Sequence, residues 1–190
     1  MPESLVRSRS RALAVVGLVV LIAVVLAGVY AIKGGPASAA GEPSTPVAQA
    51  PKVGGPAPGF KALDIDGEPV SLEAYRGKPV WLLFQATWCS ICRAELPDVE
   101  AASERVDVVA IYLREDRRLV ADYAERLGLT IRSVPDPIGE ISLSYLATSV
   151  PTHYFIDADG TIVSVLKGAL SPEEIDEQLE AIGAGSAAQG

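Results

Sequence analysis

From Ala12 to Ile32 the chain runs for 21 residues without a charged side chain, mostly valine, leucine, alanine and isoleucine. Such a run has no polar stripe to turn toward water, so it does not fit an amphipathic helix on a globular surface. As a helix it would be about 31 Å long, the thickness of a bilayer's hydrocarbon core. The globular fold must therefore be built from the remaining residues. Arg7, Arg9 and Arg11 precede the run, and only Lys33 follows it closely. The positive-inside bias then predicts a basic cytoplasmic tail over 1–11, a transmembrane anchor over 12–32 and everything later outside. Ala37-Ser38-Ala39 resembles a signal-peptide cleavage site, but the run exceeds the ~7–15 residues of an ordinary signal core, which favours a retained anchor. On either reading the rest of the chain is exported.

This division explains why 190 residues with net charge −8 still have a positive mean hydropathy of +0.28. Residues 1–33 hold four basic side chains and one acid, net +3, which leaves −11 for the exported part. An acidic surface of that size keeps a domain soluble and lacks the basic face of a nucleic-acid binder.

Residues 33–59 carry six of the 14 prolines and six glycines, the composition of an extended linker. From 60 to 183 the pattern predicts one α/β domain, followed by a disordered tail over 184–190. Residues 60–63 and 69–72 read as short strands around the turn Asp66-Gly67. Residues 79–85 and 106–113 are apolar enough for buried strands. A helix is expected from Ser90, kinked or interrupted near Pro97. Asp116 can cap a second helix that ends at Gly128. A short strand over 129–134 and a short helix over 138–147 come next. Strands near 153–157 and 161–167 flank Asp159-Gly160, and Ser171-Pro172-Glu173-Glu174 opens a last helix to Ile182. Strands alternating with helices predict a central mixed β-sheet flanked by helices, preceded by a hairpin.

The two cysteines, Cys89 and Cys92, follow a predicted buried strand and open a predicted helix. At a helix N-terminus the unpaired backbone N–H groups and the macrodipole favour a thiolate, and Arg93 adds positive charge nearby. A bridge between residues three apart closes too short a loop to stabilise a fold much, so these cysteines point to reactivity. Cys89 is expected to be the exposed attacking sulfur and Cys92 the more buried resolving one. A zinc half-site would need two more ligands, and only His153 and carboxylates are on offer. Haem attachment would need histidine where Arg93 stands. His153, the one histidine, reads as a hydrogen-bonded strand residue. Glu115 and Asp116, among Arg114, Arg117 and Arg118, read as a solvated helix entrance.

Trp88-Cys89-Ser90-Ile91-Cys92, continuing Arg93-Ala94-Glu95-Leu96-Pro97, resembles the TlpA/ResA-like branch of the thioredoxin superfamily, which comprises membrane-anchored thiol–disulfide oxidoreductases. The resemblance extends over Gly54–Phe60, Gly77–Phe84, Val150-Pro151-Thr152 and Asp157–Gly160. It implies a thioredoxin-like fold with a cis proline at Pro151 beside the disulfide. Val150 and Thr152 would lie where an extended substrate segment pairs, and Trp88 would shield the edge of the site, with a plain packing role equally open. Glu95 would handle the proton of the buried thiol; the helix pattern alone also leaves a solvated surface glutamate open. Gln85 departs from the family, which often has an aromatic residue there, and Ile91 replaces a common proline.

The function implied is reduction of disulfides in exported proteins, apocytochrome c among them, with electrons from a membrane thiol carrier. Residues 12–32 would hold the protein in the lipid bilayer as a monomer, with no nucleic-acid partner. No metal is expected, and no cofactor beyond the redox-active disulfide of Cys89 and Cys92. Two alternatives stay open: an oxidase that installs disulfides, and a Cu(I)-delivery protein using both cysteines with His153. A peroxidase is less favoured, because no separate peroxidatic cysteine exists.

Overall fold

The computed structural model describes residues 16–26, 28 and 50–184. The chain divides into two units, 1–47 and 48–190. In the first, residues 16–26 and 28 are helical with exposed side chains. Among the described residues no helix is long and apolar enough to cross a membrane. The expected span 12–32 lies partly outside those residues. The basic tail 1–11, most of the linker and the tail beyond Ala184 lie outside them as well.

The second unit is built on a five-stranded sheet of order β5-β4-β3-β6-β7. These strands are β3 (Val80–Gln85), β4 (Asp107–Leu113), β5 (Arg132–Asp136), β6 (Thr152–Ile156) and β7 (Ile162–Lys167). β3, β4 and β5 run parallel, while β6 and β7 are antiparallel to their neighbours. The mixed sheet expected from the element order is thus present, preceded by the antiparallel hairpin of β1 (Lys61–Leu63) and β2 (Pro69–Ser71).

Alternation along β3 sends its side chains to two separate cores. Trp81 and Leu83 join Leu96, Val99, Val120, Ile175 and Leu179. These come from α1 (Ser90–Ala102), α2 (Arg117–Leu127) and α4 (Pro172–Ala181). Val80, Leu82 and Phe84 face Phe60, Val70, Leu72 and Ile141, from the hairpin region and α3 (Glu140–Ser144). The caps read from the sequence are made. The Asp116 carboxylate accepts from Leu119 N–H at 3.0 Å, and Ser171 with Glu174 forms a capping box.

Three local expectations shift. α1 runs unbroken through Pro97, because thirteen residues and a buried apolar face outweigh one lost backbone bond. β5 includes Pro135 and ends at Asp136, two residues past the expected end. It lies at the sheet edge, where one side of the strand needs no N–H partner. Within the Pro/Gly-rich stretch, residues 54–57 are held to the sheet. Gly54 N–H donates to Ile162 O at 2.8 Å, Ala57 N–H to Gly160 O at 3.0 Å, and Ala57 is buried. Composition favours a linker there, but backbone pairing is indifferent to side-chain composition.

Candidate active site

β3 ends at Gln85, and the chain turns through Ala86-Thr87-Trp88 to Cys89, the N-cap of α1. Cys89 has extended backbone, so its side chain folds over the helix start, and Sγ accepts from Cys92 N–H at 3.1 Å. Cys89 and Cys92 form a disulfide, their Cα atoms 5.3 Å apart. Cys89 keeps 7% of its surface exposed and Cys92 1%. Cys92 is the more buried of the two, as expected, while Cys89 is itself mostly covered rather than exposed, because it packs against Ala86 and Val150.

Ala86, both cysteines and the half-buried Val150 pack together. Val150 precedes Pro151 through a cis peptide bond. Thr152 is buried at the start of β6, and its hydroxyl donates to Ser149 O at 2.7 Å. Its side chain therefore closes the loop rather than meeting solvent. Trp88 is 73% exposed and borders a groove with Leu113, Leu143 and Thr148. Ile91 and Leu143 are exposed too, so apolar surface lies beside Cys89.

Glu95 lies one turn beyond Cys92 on the same helix face, and its side chain is fully buried. That removes the surface reading. Oε1 accepts from Leu170 N–H at 2.8 Å, while Oε2 has no partner. Burial is the main reason its carboxyl is pushed up to about 7. The Leu170 N–H opposes this shift, and the negative charges of Asp98 and Glu174 add to it.

His153 of β6 is likewise fully buried, with Nε2 2.9 Å from Gly168 O and 3.6 Å from Glu95 Oε1. Its hydrogen bond was expected; its solvent-free setting beside a carboxyl was not. Burial lowers its imidazolium to about 4, and the Gly168 carbonyl only partly offsets that. Near neutral pH the histidine is uncharged, so the contact with Glu95 is not an ion pair.

The loop Gly168–Leu170 joins these parts. Gly168 N–H donates to Pro151 O at 3.0 Å, its carbonyl meets His153, and Leu170 N–H holds Glu95.

Glu115 corrects the solvated reading of the α2 entrance. It is 5% exposed. Oε2 accepts from Thr87 N–H at 2.9 Å and Oε1 from the Thr87 hydroxyl at 2.7 Å. The signal for it is register: Gln85 pairs with Tyr112 in parallel, so residues just past β3 and β4 meet. That signal exists only once the topology is known. Among the described residues no three metal-ligating side chains cluster.

The AhpC/TSA family model matches residues 53–165. The chain is similar to the thiol–disulfide oxidoreductase ResA of Geobacillus kaustophilus, 33% identical over 68% of this chain and 78% of that protein. Two solved structures are also similar. One is a secreted Mycobacterium tuberculosis disulfide oxidoreductase homologous to Escherichia coli DsbE, with TM-score 0.58, 29% identity and coverage of 64% of this chain and 95% of that one. The other is an exposed lipoprotein thioredoxin of Streptococcus pneumoniae, with TM-score 0.57, 30% identity and coverage of 65% and 98%.

Proposed function

The chain belongs to the AhpC/TSA family, among its ResA-like thiol–disulfide oxidoreductases, and from that membership we propose that it reduces disulfides of exported proteins outside the cytoplasmic membrane. The observation that carries this is the pairing of a helix-capping Cys89 with a more buried Cys92 and a buried Glu95 one turn on.

In the reductive direction the Cys89 thiolate attacks one sulfur of a substrate disulfide and expels the other as a thiolate. A mixed disulfide between Cys89 and the substrate results. The Cys92 thiol passes its proton to the Glu95 carboxylate. Cys92 sulfur then attacks Cys89 Sγ and releases the second substrate thiolate. The oxidised pair remains, and a membrane thiol carrier would reduce it. With its carboxyl at about 7, Glu95 can both take and return a proton at neutral pH. Val150 beside Pro151 would guide the substrate backbone, Thr152 would support that loop from below through its bond to Ser149 O, and Trp88 would offer apolar contact.

The uncharged run 12–32 supports an anchored, exported placement, as does the likeness to a secreted protein and to an exposed lipoprotein. Anchoring raises the local concentration of membrane partners. Apocytochrome c is the substrate the family resemblance favours.

The experiment is a Cys92→Ser trap in cells. It should accumulate mixed disulfides through Cys89 and so identify the substrates. If no adduct forms, and a variant lacking both cysteines behaves like wild type, the redox function is excluded. A reduction potential near the ~−120 mV of strong oxidants would instead mean an oxidase.

A further inference from the structure

His153 is a fully buried titratable group at the site with no part in the exchange chemistry. The Gly168 carbonyl 2.9 Å from Nε2 can only accept, so Nε2 must carry the proton and Nδ1 the lone pair. Nδ1 has no partner and lies in an apolar wall, with Trp81 and Phe155 rings 5.7 and 6.4 Å from the imidazole. The protonated nitrogen lies 3.6 Å from Glu95 Oε1. That is too long for a hydrogen bond, but short for a dipole acting on a charge in a buried setting.

The other groups around Glu95 are one-sided. Asp98 on α1 and Glu174 on α4 are negative and disfavour a carboxylate. Among the described residues, the Leu170 N–H gives the one hydrogen bond that the carboxyl receives. His153 is, among the described residues, the side chain that brings a donor nitrogen within 4 Å of the Glu95 carboxyl.

We propose that His153 is a positioning residue for the Glu95 proton: with Nε2–H donated to Gly168 O, the positive end of the imidazole dipole is held 3.6 Å from Glu95 Oε1 and stabilises the carboxylate once that proton leaves. This rests on the reading of Glu95 as acceptor of the Cys92 proton. It adds that β6, the strand that begins at the Pro151 loop, controls that acceptor.

The test is a 13C NMR titration of the Glu95 carboxyl in the oxidised full chain in detergent micelles. His153→Leu should move its midpoint upward by about one pH unit, a tenfold gain in proton affinity. His153→Gln, which keeps a side-chain N–H, should restore most of the wild-type midpoint. An unmoved midpoint in folded His153→Leu overturns the proposal. A readout in wild type needs no variant to fold: the His153 ring 15N shifts should show the Nε2–H tautomer and an inflection at the Glu95 midpoint. Absence of either also overturns it. The underlying reading fails separately, if Glu95→Gln leaves the pH profile of Cys92 reactivity unchanged.

Discussion

Glu115 holds Thr87 with both carboxylate oxygens, one on the backbone N–H at 2.9 Å and one on the hydroxyl at 2.7 Å. Thr87 stands two residues before Cys89. The loop that presents the attacking sulfur is thus anchored by a residue 28 positions away in the chain. The anchor is a charge-assisted pair of bonds, stronger than neutral ones.

Glu115→Ala should therefore destabilise the fold by about 2–3 kcal/mol, since it strands a Thr87 N–H. Glu115→Gln, which can bond both groups, should cost much less. Urea unfolding reads the energies. Faster amide exchange at Trp88 and Cys89 in Glu115→Ala would locate the loosening; unchanged exchange would refute the anchor.

Gln85 is fully buried, and neither end of its amide has a partner. Burying an unpaired amide is costly, and an apolar group of similar size avoids that cost. Gln85→Leu should raise stability by about 1–2 kcal/mol. A denaturation midpoint at or below wild type would contradict this.

The buried acid and base give opposite pH dependences. The native Glu95 carboxyl, at about 7 against 4.5 when unperturbed, keeps a proton that the unfolded chain has lost. Its stabilising contribution is complete below pH 4.5 and is lost as pH rises to about 7. Native His153, at about 4 against 6.5, refuses a proton that the unfolded chain takes up. Its contribution is present above pH 6.5 and is lost as pH falls to about 4. In wild type the two slopes oppose each other. Glu95→Gln should leave stability rising with pH over that lower window. His153→Leu should leave it falling from pH 4.5 upward. Each change should amount to roughly 3 kcal/mol or slightly more, and unfolding across the pH range measures both signs.

In the reduced chain, Cys89 should be alkylated by iodoacetamide roughly tenfold faster than Cys92, because it caps the helix and keeps more exposure. Mass spectrometry of briefly treated protein distinguishes the two sulfurs. Equal rates would undo the assignment of roles.

Trp88 is 73% exposed, so Trp88→Ala should change stability by no more than about 0.5 kcal/mol. Reduction of a protein disulfide should slow, while reduction of a small soluble disulfide should not. Equal slowing of both would place the effect in the chemistry rather than in substrate contact.

Much of the fold was legible in local signals. The hairpin turn, the Asp116 and Ser171 caps and the buried strands β3 and β4 each follow from neighbouring residues, because capping and periodicity are short-range. The path of α1 through Pro97 and the inclusion of Pro135 in β5 were not legible. Both depend on what packs against the element or on which strand lies at the edge.

The site divides along the same line. The sequence by itself determined that Cys89 and Cys92 share one helical turn after a buried strand, since their spacing and setting lie within a dozen residues. It determined equally that an uncharged run of bilayer length precedes the acidic domain. Only the tertiary structure decided that Glu95 is buried, that His153 faces it, and that Glu115 grips Thr87. Those relations join α1 to β6 and β3 to β4 across the sheet. The proton affinities at the site follow from the burial that this packing creates, and no local pattern of residues encodes it.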